Sequence, residues 1–169
     1  MKRRTRFVSV TALLVALSVV ILYLASFLPT ARVASAAIAG LLTAVAVIEC
    51  GVLSGVACFV CSSILAAVLL PVKSVALLYI LFFGYYPVVK SLAERIKRRA
   101  LEWAVKIIVF NAALTAAYFL WILSFMPGVD FGEWTFVLLY LAGNICFILY
   151  DFAFSMLAGQ YLARIYKKR

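Results

Sequence analysis

The stretch ERIKRRALEWAVK, Glu94 to Lys106, is the longest polar break between the start of this chain and its last loop. Four apolar runs precede it and two follow. Its Arg95, Lys97, Arg98 and Arg99 decide the topology, because loops rich in Lys and Arg stay on the cytoplasmic side of a membrane. The rest of the chain can be placed from that assignment.

Working outward, six runs come close to the roughly 20 residues that cross about 30 Å of hydrocarbon. They are Phe7 to Leu28, Arg32 to Ile48, Gly51 to Leu70, Ser74 to Val89, Trp103 to Phe125 and Trp134 to Leu157. Helices are expected, since lipid offers backbone groups no other partner and the runs lack the alternation of barrel strands. Turn signals separate them at Pro29, Glu49 to Gly51, Pro71, the basic segment and Met126-Pro127-Gly128. Pro87, in Gly84-Tyr85-Tyr86-Pro87, predicts a kink in the fourth run. The apolar run from Phe7 to Leu28 exceeds a signal-peptide core of about 7 to 15 residues, so a retained helix is expected.

Composition agrees. The 169 residues are 68% apolar and 13% charged, with no His, whereas a soluble domain is roughly 45 to 50% apolar and about 25% charged. An apolar excess of this size calls for a bilayer as solvent. The net charge of +10 sits at the ends of apolar runs, as topogenic charge beside membrane lipid, and no nucleic-acid partner is expected. Lys2, Arg3, Arg4 and Arg6 at the head, the central four, and Arg164, Lys167, Lys168 and Arg169 in the tail fall on one side. Only Arg32 and Lys73 are basic on the other, and Asp130 and Glu133 make the last loop there acidic. The expected fold is therefore an all-α integral membrane protein: six transmembrane helices in one bundle, residues 1–169 as a single domain, both termini cytoplasmic. Its expected location is the bacterial cytoplasmic (inner) membrane, as a multi-pass protein.

Chemistry is sparse. Cys50, Cys58, Cys61 and Cys146 lie within apolar runs. Without His and with few carboxylates they complete no metal site, and they read as small buried hydrophobes. There is no nucleophile elbow and no phosphate loop, so the chain is not expected to be an enzyme, to hydrolyse ATP or to carry a cofactor.

Depth, counted at about 1.5 Å per residue from each helix end, sorts the remaining polar residues into layers. Glu49, Lys90, Lys106 and Asp151 fall at one level near the cytoplasmic face, where two acids and two bases from four helices can neutralise one another, snorkel separately to water, or gate. Asn111 and Asn144 lie deeper, and such amides bond across helices. Tyr23, Tyr79, Tyr118 and Tyr140 lie in the outer half, with Trp121 and Trp134 at the boundary and Arg32 and Asp130 in the loops above. A buried phenol needs a partner, so these residues, with Asn144, are candidates to line a small-molecule pocket opening outward. Small residues four apart, among them Ala12/Ala16, Ala36/Gly40/Ala44 and Gly51/Gly55, let helix backbones approach closely.

The basic head, a first helix reading Thr11-Ala12-Leu13-Leu14-Val15-Ala16-Leu17-Ser18, six spans in so short a chain and a basic tail resemble the substrate-binding S components of energy-coupling factor transporters. The resemblance covers the whole chain in topology and the first helix in motif. It implies that Ala12 and Ala16 form the A-x-x-x-A motif that docks on a transmembrane coupling subunit driven by a pair of ATPases. It further implies a vitamin or other micronutrient bound in the outer half, beneath the loop joining the first two helices. The rival expectation is a non-transporting envelope or cell-shape scaffold resembling the rod-shape-determining MreD family. In that case the small-residue faces and the charge layer serve packing and partner docking.

Overall fold

The computed structural model describes residues 2–96, 98–125 and 133–166. They are all helical in type, with no strand among the described residues. The order is α1 (Lys2–Phe27), a 3-10 turn (Pro29–Ala31), α2 (Arg32–Cys50), α3 (Val52–Leu69), α4 (Lys73–Leu78), a π turn (Tyr79–Phe83), α5 (Tyr86–Ala93), α6 (Arg99–Phe125) and α7 (Glu133–Tyr166). Among the described residues, six helical stretches are long and apolar enough to cross a membrane, α4 through α5 counting as one. Those helices reach beyond the apolar runs at several ends: α6 begins at Arg99 and α7 continues to Tyr166. Hydrogen bonding carries a helix through the polar flanks of its apolar run. The predicted break at Met126-Pro127-Gly128 lies outside the described residues.

Local chemistry explains the punctuation. Gly51 ends α2 at φ 91°, the single positive φ among the described residues, a conformation that only glycine adopts at little cost. Its N–H donates to the carbonyl of Val47 at 3.0 Å, and Gly55 N–H donates back to the Gly51 carbonyl at 3.1 Å. Lys73 Nζ donates to the Ala67 carbonyl at 2.7 Å, which places a cation on the unpaired carbonyl end of α3.

The fourth span is broken rather than merely kinked. Gly84 N–H donates five residues back, to the Tyr79 carbonyl, at 2.7 Å, which widens the helix by one residue over that turn. The chain bends at Gly84–Tyr85 and restarts as α5, with Pro87 in its first turn, where the missing N–H costs no bond. The break thus begins upstream of the proline that predicted it. A Cβ built on Gly40 of α2 would lie 2.6 Å from the carbonyl oxygen of Phe83, so α2 and the π turn meet backbone to backbone.

The chain divides into two compact units, Met1–Lys106 and Ile107–Arg169. The core of the first unit is Leu22, Ala25, Ala36, Ala39, Ala66, Leu70, Val75, Ala76 and Tyr79. Its alanines bring the backbones close, which is how helices associate where lipid removes any hydrophobic drive between them. A smaller cluster joins Leu14, Val15, Ala46 and Cys58. In the second unit, Phe110 of α6 stacks on Phe147 of α7 with ring centroids 4.4 Å apart. Many large apolar side chains lie open, among them Leu53, Leu13, Val68 and Leu138, as suits a surface solvated by acyl chains. Several hydroxyls are satisfied within their own helix: Ser18 donates to the Leu14 carbonyl and Ser26 to that of Leu22.

Of the four cysteines, Cys58 alone is fully buried. Cys50 is half-buried, and Cys61 and Cys146 lie on exposed apolar faces. In a bilayer a small hydrophobe can face lipid as readily as core, so the expectation of burial fails for that pair.

Candidate functional site

Ala12 and Ala16 are both exposed on α1. With Val8 they form one wall of an open groove of about 550 Å³, and Leu53, Ala57 and Cys61 of α3 contribute to the other. Ala12, Ala16 and Ala57 keep side-chain bulk small along it. Thr11 and Ser54 also line the groove, but their hydroxyls are taken up by the carbonyls of Phe7 at 2.8 Å and Cys50 at 3.2 Å. The surface therefore offers shape and dispersion contacts, the means by which membrane helices associate.

The residues expected to line an outward pocket are distributed differently. Tyr79 has no exposed surface. Its hydroxyl lies 3.1 Å from Thr43 Oγ1 and 2.7 Å from Ser62 Oγ, so the phenol is satisfied by α2 and α3. Tyr23 is exposed, with its ring edge-on to Phe27 at 5.4 Å. Arg32 opens α2, half-buried, and its Nε is buried without a hydrogen-bond partner. Within the first unit, then, the structure does not bring Tyr23 and Tyr79 to one surface.

In the second unit a polar ladder links α6 and α7. Asn111 and Asn144 exchange two amide hydrogen bonds, each 3.1 Å, and Thr115 shares a hydrogen bond with Tyr140. Tyr118 is half-buried, its ring 6.0 Å from that of Phe119, and Trp134 is exposed. Trp121 lies in α6, with its side chain outside the described residues, as is all of Asp130.

Within the first unit, Lys90 and Lys106 of the expected charge layer meet carboxylates that depth counting passed over. Lys90 and Lys106 are 5% and 2% exposed, and Asp151 is buried too, while Glu49 is half-buried. Glu94 Oε1 lies 3.2 Å from Lys90 Nζ and 4.0 Å from Lys106 Nζ, and Glu102 Oε1 lies 2.7 Å from Lys106 Nζ. Each ammonium also sits over an aromatic ring, Lys90 over Tyr86 and Lys106 over Trp103. The four-residue spacings Lys90/Glu94 and Glu102/Lys106 were the available signal.

No protein-family model, curated protein or solved structure matches the chain. Among the described residues, no cluster of His, Cys, Asp or Glu could hold a metal.

Proposed function

We propose that the chain is the membrane-embedded substrate-binding subunit of an ATP-driven uptake transporter, an S component of the energy-coupling factor type. It resides in a bacterial cytoplasmic membrane with both termini inside, and takes a vitamin or similar micronutrient. The observation carrying this reading is the position of Ala12 and Ala16, exposed on an open apolar groove. Small residues that pack inside a bundle are covered; these lie bare, as a face that docks a partner helix would. The chain has no phosphate loop of its own, so energy for uphill transport comes from a partner or an ion gradient, and in this reading from a coupling subunit and an ATPase pair.

One observation favours the scaffold reading instead. Tyr79 spends its hydroxyl on Thr43 and Ser62, which removes it from any ligand. A non-transporting envelope protein would still use the groove, with a different partner.

Affinity purification in mild detergent distinguishes the two, with an Ala12→Leu, Ala16→Leu variant as control. Both positions are exposed, so the larger side chains fill the groove without overpacking the core. The transporter reading expects two ATPases and a coupling membrane protein to copurify with the native chain and to be lost from the variant. Recovery of the chain alone, or with envelope-synthesis partners indifferent to those alanines, refutes it.

A further inference from the structure

The segment joining α5 to α6 mixes both signs of charge in sequence, and the folded chain sorts them. Its two carboxylates turn onto the helices: Glu94 reaches Lys90 and Lys106, and Glu102 reaches Lys106. Both lysines are buried, so the acids compensate interior ammonium groups; Glu102 is largely covered, whereas the Glu94 side chain stays half exposed beside them. Arg95, Arg98 and Arg99 remain there, all exposed, with no carboxylate partner among the described residues. The carboxylates of the segment are thus engaged by the buried lysines, and its exposed arginines are left uncompensated.

Position adds to charge. The segment is anchored at both ends by stretches able to cross a membrane, Lys73–Ala93 and Arg99–Leu120, so its guanidinium groups are held where hydrocarbon gives way to head groups. Leu92 and Leu101, on either side of the arginines, are about half exposed. Cations flanked by apolar side chains match a molecule with a phosphate above and an acyl chain below. Arginine's planar fork also suits phosphate better than a lysine ammonium does. Nucleic acid fits less well, because the exposed stretch presents no aromatic ring for a base to stack on: Trp103 is half-buried and faces Lys106.

We propose that Arg95, Arg98 and Arg99 form a binding site for the head groups of anionic phospholipids in the leaflet that this segment faces. The site depends on the pairing of Glu94 and Glu102 with Lys90 and Lys106, which offsets their negative charge and leaves the three arginines for the incoming phosphate. It stands whether or not the chain belongs to a transporter.

Trp103, one helical turn from Arg99, supplies the readout. The full chain with Trp121→Phe and Trp134→Phe, leaving Trp103 as sole tryptophan, is reconstituted into phosphatidylcholine vesicles containing brominated phosphatidylglycerol or brominated phosphatidylcholine. Quenching then reports each lipid's association beside the segment. The expected result is a clear preference for phosphatidylglycerol that weakens as salt rises. Each cation near such a surface strengthens binding about fivefold, so an Arg95→Gln, Arg98→Gln, Arg99→Gln variant should bring the preference down to near parity. The corresponding triple lysine variant should keep most of it, which separates loss of charge from loss of fold. Equal quenching by both lipids in the parent chain overturns the proposal, as does a preference that survives the triple glutamine change. Arginine-dependent retention of RNA by neutral vesicles, without preference between the lipids, also overturns it.

Discussion

The hydroxyl of Tyr79 lies 2.7 Å from Oγ of Ser62, and on its other side it meets Thr43 Oγ1 at 3.1 Å. One phenol thereby ties the π turn to both α2 and α3 in a region closed to solvent. Hydrogen bonds between membrane helices average about 0.6 kcal/mol and reach roughly 1.7. Tyr79→Phe should therefore cost about 1–3 kcal/mol, most of it from Thr43, since Ser62 keeps its bond to the Cys58 carbonyl. Reversible unfolding in mixed micelles measures this. A variant with unchanged stability would show that the cluster does not hold these segments together.

Asn111 and Asn144 couple α6 to α7 through two reciprocal bonds. Either residue changed to Leu leaves the other amide without its cross-helix partner, at a cost of about 1 kcal/mol. The double Leu variant should lose less than the two singles combined, because no amide is then stranded. A double-mutant cycle read from the same unfolding curves checks the coupling, and strictly additive losses would rule it out.

Gly40 faces the Phe83 carbonyl so closely that a Cβ would lie 2.6 Å from the oxygen. Backbone cannot swing aside as a side chain can. Gly40→Ala should destabilise by on the order of 1–3 kcal/mol, as overpacking does. Gly159→Ala is the control, since a Cβ there meets nothing within 4 Å. It should be neutral or gain up to about 1 kcal/mol from helix propensity. Comparing the two melting temperatures tests whether the π turn is set by contact with α2.

That contact marks the limit of what the sequence discloses. Hydropathy located all six spans, because the need for a long apolar run is a local property of the chain. Pro87 announced a disturbance in the fourth span, yet the π turn starts upstream at Tyr79 and meets Gly40 at its last residue, Phe83. Such a contact spans forty-odd positions and has no local signature. Likewise, counting residues from helix ends places Tyr23 and Tyr79 in one layer, but depth says nothing about direction around the helix axis. Packing turned Tyr79 to the core and Tyr23 to the surface. The lysine layer was legible as a level, and its carboxylates Glu94 and Glu102 were one helical turn away in sequence.

The central claim is that the face of α1 bearing Ala12 and Ala16 docks another membrane protein. The most direct test places a photoreactive amino acid at position 16 in native membranes, with position 17 as control. Leu17 is 45% exposed, and at about 100° per residue it points away from the groove wall of Val8, Ala12 and Ala16. A docking face predicts a discrete protein adduct from position 16 and only lipid adducts from position 17. Lipid adducts alone from both positions, or equal protein adducts from both, would contradict it.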